Sequence, residues 1–111
     1  MKVINLESGM PTVEVARSRL MQELRTAKIQ GEKTVKIIHG YGSSGKGGAI
    51  KADVQTQLAA KKRAGQIVDF VKGEDFSPFS ENARRLTDQV PGLSRDCDYL
   101  RGNDGITIVL L

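Results

Sequence analysis

The chain has 111 residues, 39% of them apolar and 27% charged, which is the composition of a globular protein of one domain, 1–111, with a modest core. No apolar run approaches the ~20 residues that cross a bilayer, no signal-peptide pattern opens the chain, and a single cysteine, Cys97, excludes an internal disulfide or a cysteine-built zinc site, so a cytoplasmic address is expected. The net charge of +4 is uneven: residues 1–71 hold twelve Lys/Arg against six Asp/Glu, and residues 72–101 hold five against six, a distribution that suits a polyanionic partner.

Residues 2–7 (KVINLE) read as a first strand, broken by Gly9, Met10 and Pro11. Thr12 is a helix N-cap, and Val13, Ala16, Leu20, Leu24 and Ala27 recur at steps of three and four, which predicts a helix over about 12–30 that Gly31 stops. Thr34 to His39 forms a second, buried strand. Strand, helix and strand within 40 residues make a βαβ unit with parallel strands and a right-handed crossover. Ile50, Val54 and Leu58 mark a second helix over about 49–64, and QIVDFV (66–71) a third strand.

A long connection, 72–104, follows. Ser80, Ala83, Leu86 and Val90 predict a short helix ended by Pro91; Phe70, Phe76 and Phe79 are expected to pack the start of the segment onto the domain, and the polar remainder, SRDCDYLRGND, is expected to be mobile. The apolar run Gly105–Leu111 is a last strand that sheet neighbours must hold.

The most informative stretch joins the second strand to the second helix. Five glycines (40, 42, 45, 47 and 48) alternate there with Tyr41, Ser43, Ser44 and Lys46, and Lys51 follows. A strand, a glycine-rich loop and a helix N-terminus form an anion cradle, because glycine allows close approach of backbone amides and the helix end is positive. Tyr41 can stack on a base, the two serines can offer hydroxyls, and His39 can act as donor, acid or base or order the turn through a backbone hydrogen bond. A P-loop reading of Gly40-x-x-x-x-Gly45-Lys46 fails at the next position, where Gly47 replaces the magnesium-holding Ser/Thr.

Ile37-Ile38-His39-Gly40-Tyr41-Gly42, the closing Gly102-Asn103-Asp104-Gly105-Ile106-Thr107-Ile108-Val109-Leu110 and the helix start Thr12-Val13-Glu14-Val15-Ala16 together resemble the small MutS-related (Smr) domain family over about 2–71 and 102–111. The resemblance implies an α/β two-layer sandwich with a mixed four-stranded sheet in the order βαβαβ(insertion)β, similar to the C-terminal domain of translation initiation factor three, with an insertion at about 72–101. It also implies binding to structured DNA or RNA, with roles in DNA repair, recombination or RNA processing, and in some members endonuclease activity. The family's Leu-Asp-x-His segment is here Ile4-Asn5-Leu6-Glu7, so a cleaving site would have to use His39 with Glu7 and Asn5, with or without a divalent metal; no other cofactor is implied. Glu7 could also pair with Lys36 or His39.

The nucleic-acid-binding set expected from the sequence is His39, Gly40, Tyr41, Gly42, Ser43, Ser44, Lys46, Gly47, Gly48 and Lys51. The basic face of Arg17, Arg19, Arg25 and Lys28 is a weaker footprint. Two other classes stay open: an endonuclease built on His39, and a ribosome- or protein-binding adaptor that uses 72–101.

Overall fold

The structure is a computed structural model that describes residues 1–41 and 46–111. Its strands are β1 (Lys2–Asn5), β2 (Thr34–Ile38), β3 (Asp69–Lys72) and β4 (Ile106–Leu110), and its helices α1 (Val13–Ile29), α2 (Lys46–Arg63) and α3 (Glu81–Gln89). The sheet order is β1-β2-β4-β3. β1 and β2 are parallel, while β4 runs antiparallel to both β2 and β3. The mixed four-stranded sheet expected from the sequence is therefore present, with β1, β2 and β3 all pointing one way.

Local chemistry sets the ends of these elements. Asn5 Oδ1 accepts from the amides of Glu7 and Ser8 at 2.9 and 3.1 Å. This bends the chain after Asn5 and shortens the strand expected over 2–7. Thr12 Oγ1 accepts from Val15 N, the expected cap of α1. Both long helices end alike: Gly31 N donates to Lys28 O and Glu32 N to Ala27 O, and Gly65 N and Gln66 N repeat the pattern on Lys62 O and Lys61 O. Each is a Schellman closure on a left-handed glycine. The second closure engages Gln66, so β3 starts at Asp69 and not at 66. α2 begins at Lys46, three residues before the expected start, and so takes in Gly47 and Gly48.

Alternation along the strands divides the core in two. Ile4, Val35, Ile37 and Val109 face α1 and α2, where they meet Ala16, Leu20, Leu24, Ala27, Ile50, Val54 and Leu58. Val71, Ile106, Ile108 and Leu110 face the other way, against Phe76, Ala83, Leu86 and Leu93. The segment after β3 thus forms a second covering layer, in addition to the helix layer.

Two expectations about that segment are corrected. Of the three phenylalanines only Phe76 anchors it: Phe76 is 1% exposed and meets Tyr99 edge to face at 5.0 Å, whereas Phe79 is 88% exposed and Phe70 packs toward α1 and α2. The polar stretch 94–104, expected to be mobile, is tied to the sheet. Asp96 and Asp98 grip Lys36 Nζ at 2.7 and 2.6 Å, and Asn103 Nδ2 donates to Asp98 at 2.8 Å. Lys36 is 7% exposed in a strand whose other residues, Thr34, Val35, Ile37 and Ile38, carry no charge. A buried ammonium needs opposite charge, and the covering layer supplies it. Gly73 makes the closure possible, since a Cβ there would collide with the carbonyl oxygens of Asn103 and Ile106.

Candidate nucleic-acid interface

The parallel strands β1, β2 and β3 deliver their C-terminal ends to one rim of the sheet, the rim where open α/β sheets place their ligands. Gathered there are Asn5 to Glu7, His39 to Tyr41, the start of α2, Glu74 after β3 and Gly105 before β4.

His39 lies beneath this rim, 1% exposed. It shares the side-chain parity of Val35 and Ile37, so its ring is on the α1/α2 face. Nδ1 is 3.0 Å from Gly40 O and Nε2 is 2.9 Å from Thr107 Oγ1. A carbonyl only accepts, so Nδ1 carries the proton and Nε2 accepts from the Thr107 hydroxyl. Burial, with Lys51 adding to it, holds the imidazole below the ordinary histidine value, against the opposing pull of the Gly40 carbonyl and of Glu74 and Glu7. The ring is therefore neutral, saturated with partners and shielded. That is the geometry of a residue that orders the turn. Its partner Thr107, 0% exposed, was legible only as a polar residue inside the apolar run ITIVL.

The turn itself is partly closed. The amides of His39 and Gly40 both donate to Gly105 O, at 3.1 and 3.0 Å, so neither is free for an anion. Gly40 has φ +85°, and the Glu7 carboxylate occupies the space a Cβ would need. Tyr41 is 64% exposed and rests on the Gly105 backbone. Gly42, Ser43 and Ser44 lie outside the described residues.

Lys46, Gly47 and Gly48 form the first turn of α2, which contains no acidic residue. Lys51, one turn further on, reaches Glu74 Oε2 at 3.0 Å. Glu74 is a partner that nothing in the sequence signals. Burial pushes the Glu74 carboxyl up, but its own backbone amide and Lys51 outweigh that and hold it low.

Glu7 does not take the pairing with Lys36 that was open to it, because Asp96 and Asp98 hold that ammonium. Asn5 is near the rim, with its side-chain oxygen engaged by the turn after β1. The helix cations are also largely engaged. Arg17 clamps Asp53 through two bonds of 3.0 and 2.7 Å, Arg19 donates to Ser8 O, and Lys28 to Gln66 O. Among the described residues the one cluster with metal-ligand chemistry is Asp96, Cys97 and Asp98, and Lys36 Nζ fills the position a cation would take.

A mixed sheet with two helices on one face and a His-Gly turn at the ends of its parallel strands defines a small α/β domain of the kind expected from the sequence motifs. The profile of the Smr domain matches residues 8–75, and the chain belongs to the Smr domain family. It is also similar to the crystal structure of the Smr domain of Thermus thermophilus MutS2, with a TM-score of 0.61 and 23% identity over 100% of this chain and 98% of that one. At that identity the likeness concerns the fold, and it takes in 72–101 with the rest. No curated protein matches the chain. Among the described residues no helix is long and apolar enough to cross a membrane.

Proposed function

We propose that this Smr domain binds nucleic acid, with a backbone phosphate seated on the first turn of α2 and the lysines around it. The observation that carries this reading is the composition of that turn. A helix N-terminus is positive and favours acidic residues, yet this one has Lys46, Gly47 and Gly48 and no acid. Two glycines in a helix weaken it by about 1 kcal/mol each relative to alanine. Both features are unfavourable in isolation and favourable beside an anion, whose oxygens glycine lets approach the backbone amides of a helix start. Lys51 lies one turn away, on a carboxylate that a phosphate can displace.

The same geometry supports binding over cleavage. His39, the proposed acid or base of the endonuclease reading, is buried with both ring nitrogens engaged. Asn5 cannot ionise. The adaptor reading through 72–101 is weakened because that segment spends its apolar face on its own sheet.

Fluorescence anisotropy with labelled duplex and structured RNA tests the proposal. Affinity should fall steeply with salt as counterions return to the phosphates. Lys46→Ala and Lys51→Ala should each lower affinity and flatten the salt slope by about one unit. Glu74→Gln should raise affinity by releasing Lys51. A salt-independent affinity, or one indifferent to all three substitutions, overturns the phosphate seat. Supercoiled plasmid incubated with the protein, with and without magnesium, should stay uncut; nicking that disappears in His39→Ala restores the endonuclease reading.

A further inference from the structure

We infer that the cleft beside Tyr41 takes one unstacked nucleobase of the bound nucleic acid, an inference that rests on the phosphate seat proposed above. The cleft is an open cavity of about 350 Å³ on the sheet face opposite α1 and α2. Its walls are Val3 of β1, Ile38 of β2 and Ile106 of β4, with Tyr41 at the rim. Single exposed apolar side chains are ordinary on a protein surface. Here two of them, Val3 at 52% and Tyr41 at 64% exposed, line one cleft next to the His39–Gly40 turn.

The Tyr41 ring is already placed for stacking. Its Cε1 and Cζ lie 3.2 Å from where a Gly105 Cβ would sit, so part of the ring rests on backbone while the rest stays open. A ring held in this way loses little freedom when a base stacks on it.

The charges in the cleft separate base from phosphate. Asp98 is committed to Lys36 and Asn103, and Asn103 Oδ1 to the amide of Gly105. Glu7 remains as an acceptor on the lining. An acceptor with negative charge repels a phosphate and attracts a donor edge, such as the exocyclic amine of adenine, cytosine or guanine. The phosphate belongs on α2 and the base belongs here.

The test compares three labelled duplexes of one sequence, made as DNA and as RNA: fully paired, with a single adenine bulge, and with an abasic bulge at the same place. The abasic probe keeps the distorted backbone and lacks only the base. Wild type should bind the adenine bulge at least about fivefold tighter than the abasic bulge, the lower end of what one aromatic stack contributes. Tyr41→Ala should erase that difference and Tyr41→Phe should keep it. A thymine bulge, which lacks the amine, should bind less tightly than adenine, and Glu7→Ala should remove that preference. Equal, salt-sensitive affinity for adenine and abasic bulges in both nucleic acids overturns the base cleft and leaves the phosphate seat standing. Failure of all three duplexes to bind overturns both.

Discussion

His39 shows how one residue type can be identified from sequence and its role still depend on packing. Its position at the end of β2, against glycine, is plain from the motif. That its two nitrogens go to Gly40 O and Thr107 Oγ1 depends on β4 arriving 68 residues later, in antiparallel register. Because the folded protein holds His39 neutral, protonation favours the unfolded chain, which takes up the proton near the ordinary value of about 6.5. The contribution of His39 to stability is thus complete above that value and is lost as pH falls below it toward the depressed folded-state value. Thermal melts from pH 8 to pH 5 should show a decline in Tm that is smaller in His39→Gln. Thr107→Val removes the donor to Nε2 and should cost about 1–2 kcal/mol by urea denaturation. The Lys36 ammonium is a second case. Burial alone would push its pKa down, but Asp96 and Asp98 reverse that and hold it raised. Lys36→Ala leaves two carboxylates facing each other without their cation and should cost about 3 kcal/mol or more.

Among the elements, α1 was the most legible, because its stripe of Ala16, Leu20, Leu24 and Ala27 follows the helical period and Thr12 and Gly31 bracket it. The start of α2 was less so. Gly47 and Gly48 look like loop residues by propensity, and their inclusion in the helix was not readable from local sequence. The strand expected from Gln66 starts only at Asp69, because Ile67, although apolar, precedes the strand and lies beneath the helix layer. For α2, stability and binding should move in opposite directions. Gly48→Ala should stabilise the protein by about 1 kcal/mol in urea unfolding, while weakening nucleic-acid affinity by crowding the phosphate. A substitution that raises both would remove the glycine argument. Asp69 links elements that are distant in sequence. It is 5% exposed at the start of β3 and holds Lys62 of α2 at 2.9 Å and Arg85 of α3 at 3.2 Å. Burial pushes this carboxyl up, and Lys62, the Phe70 amide and Arg85 together hold it low. No periodicity in the sequence announces such a junction.

At the scale of the whole molecule, the sheet is covered on both faces, and the second covering comes from the segment least readable beforehand. That segment is held by its own small core around Phe76 and by the buried ion cluster at Lys36. Its polar residues carry no periodic signal, and their partners are up to 62 positions away. Phe76→Ala should cost about 3–5 kcal/mol. Hydrogen exchange should show the loss concentrated in α3 and β4 if the layer opens as a unit, while α1 keeps its protection. Uniform loss across all elements would mean that the two cores melt together.

The register of the sheet also places the two chain ends. Lys2 pairs with Val35 and Leu110 with Thr34, so the first and last strands flank the beginning of β2 on either side. Two strand spacings set the ends about 10 Å apart, at the pole opposite Tyr41 and the first turn of α2. A short peptide could join Leu111 to Met1 and the chain be reopened elsewhere, as in a circular permutant. A purification tag or a surface-immobilisation anchor attached at either end would leave the proposed binding pole facing solution.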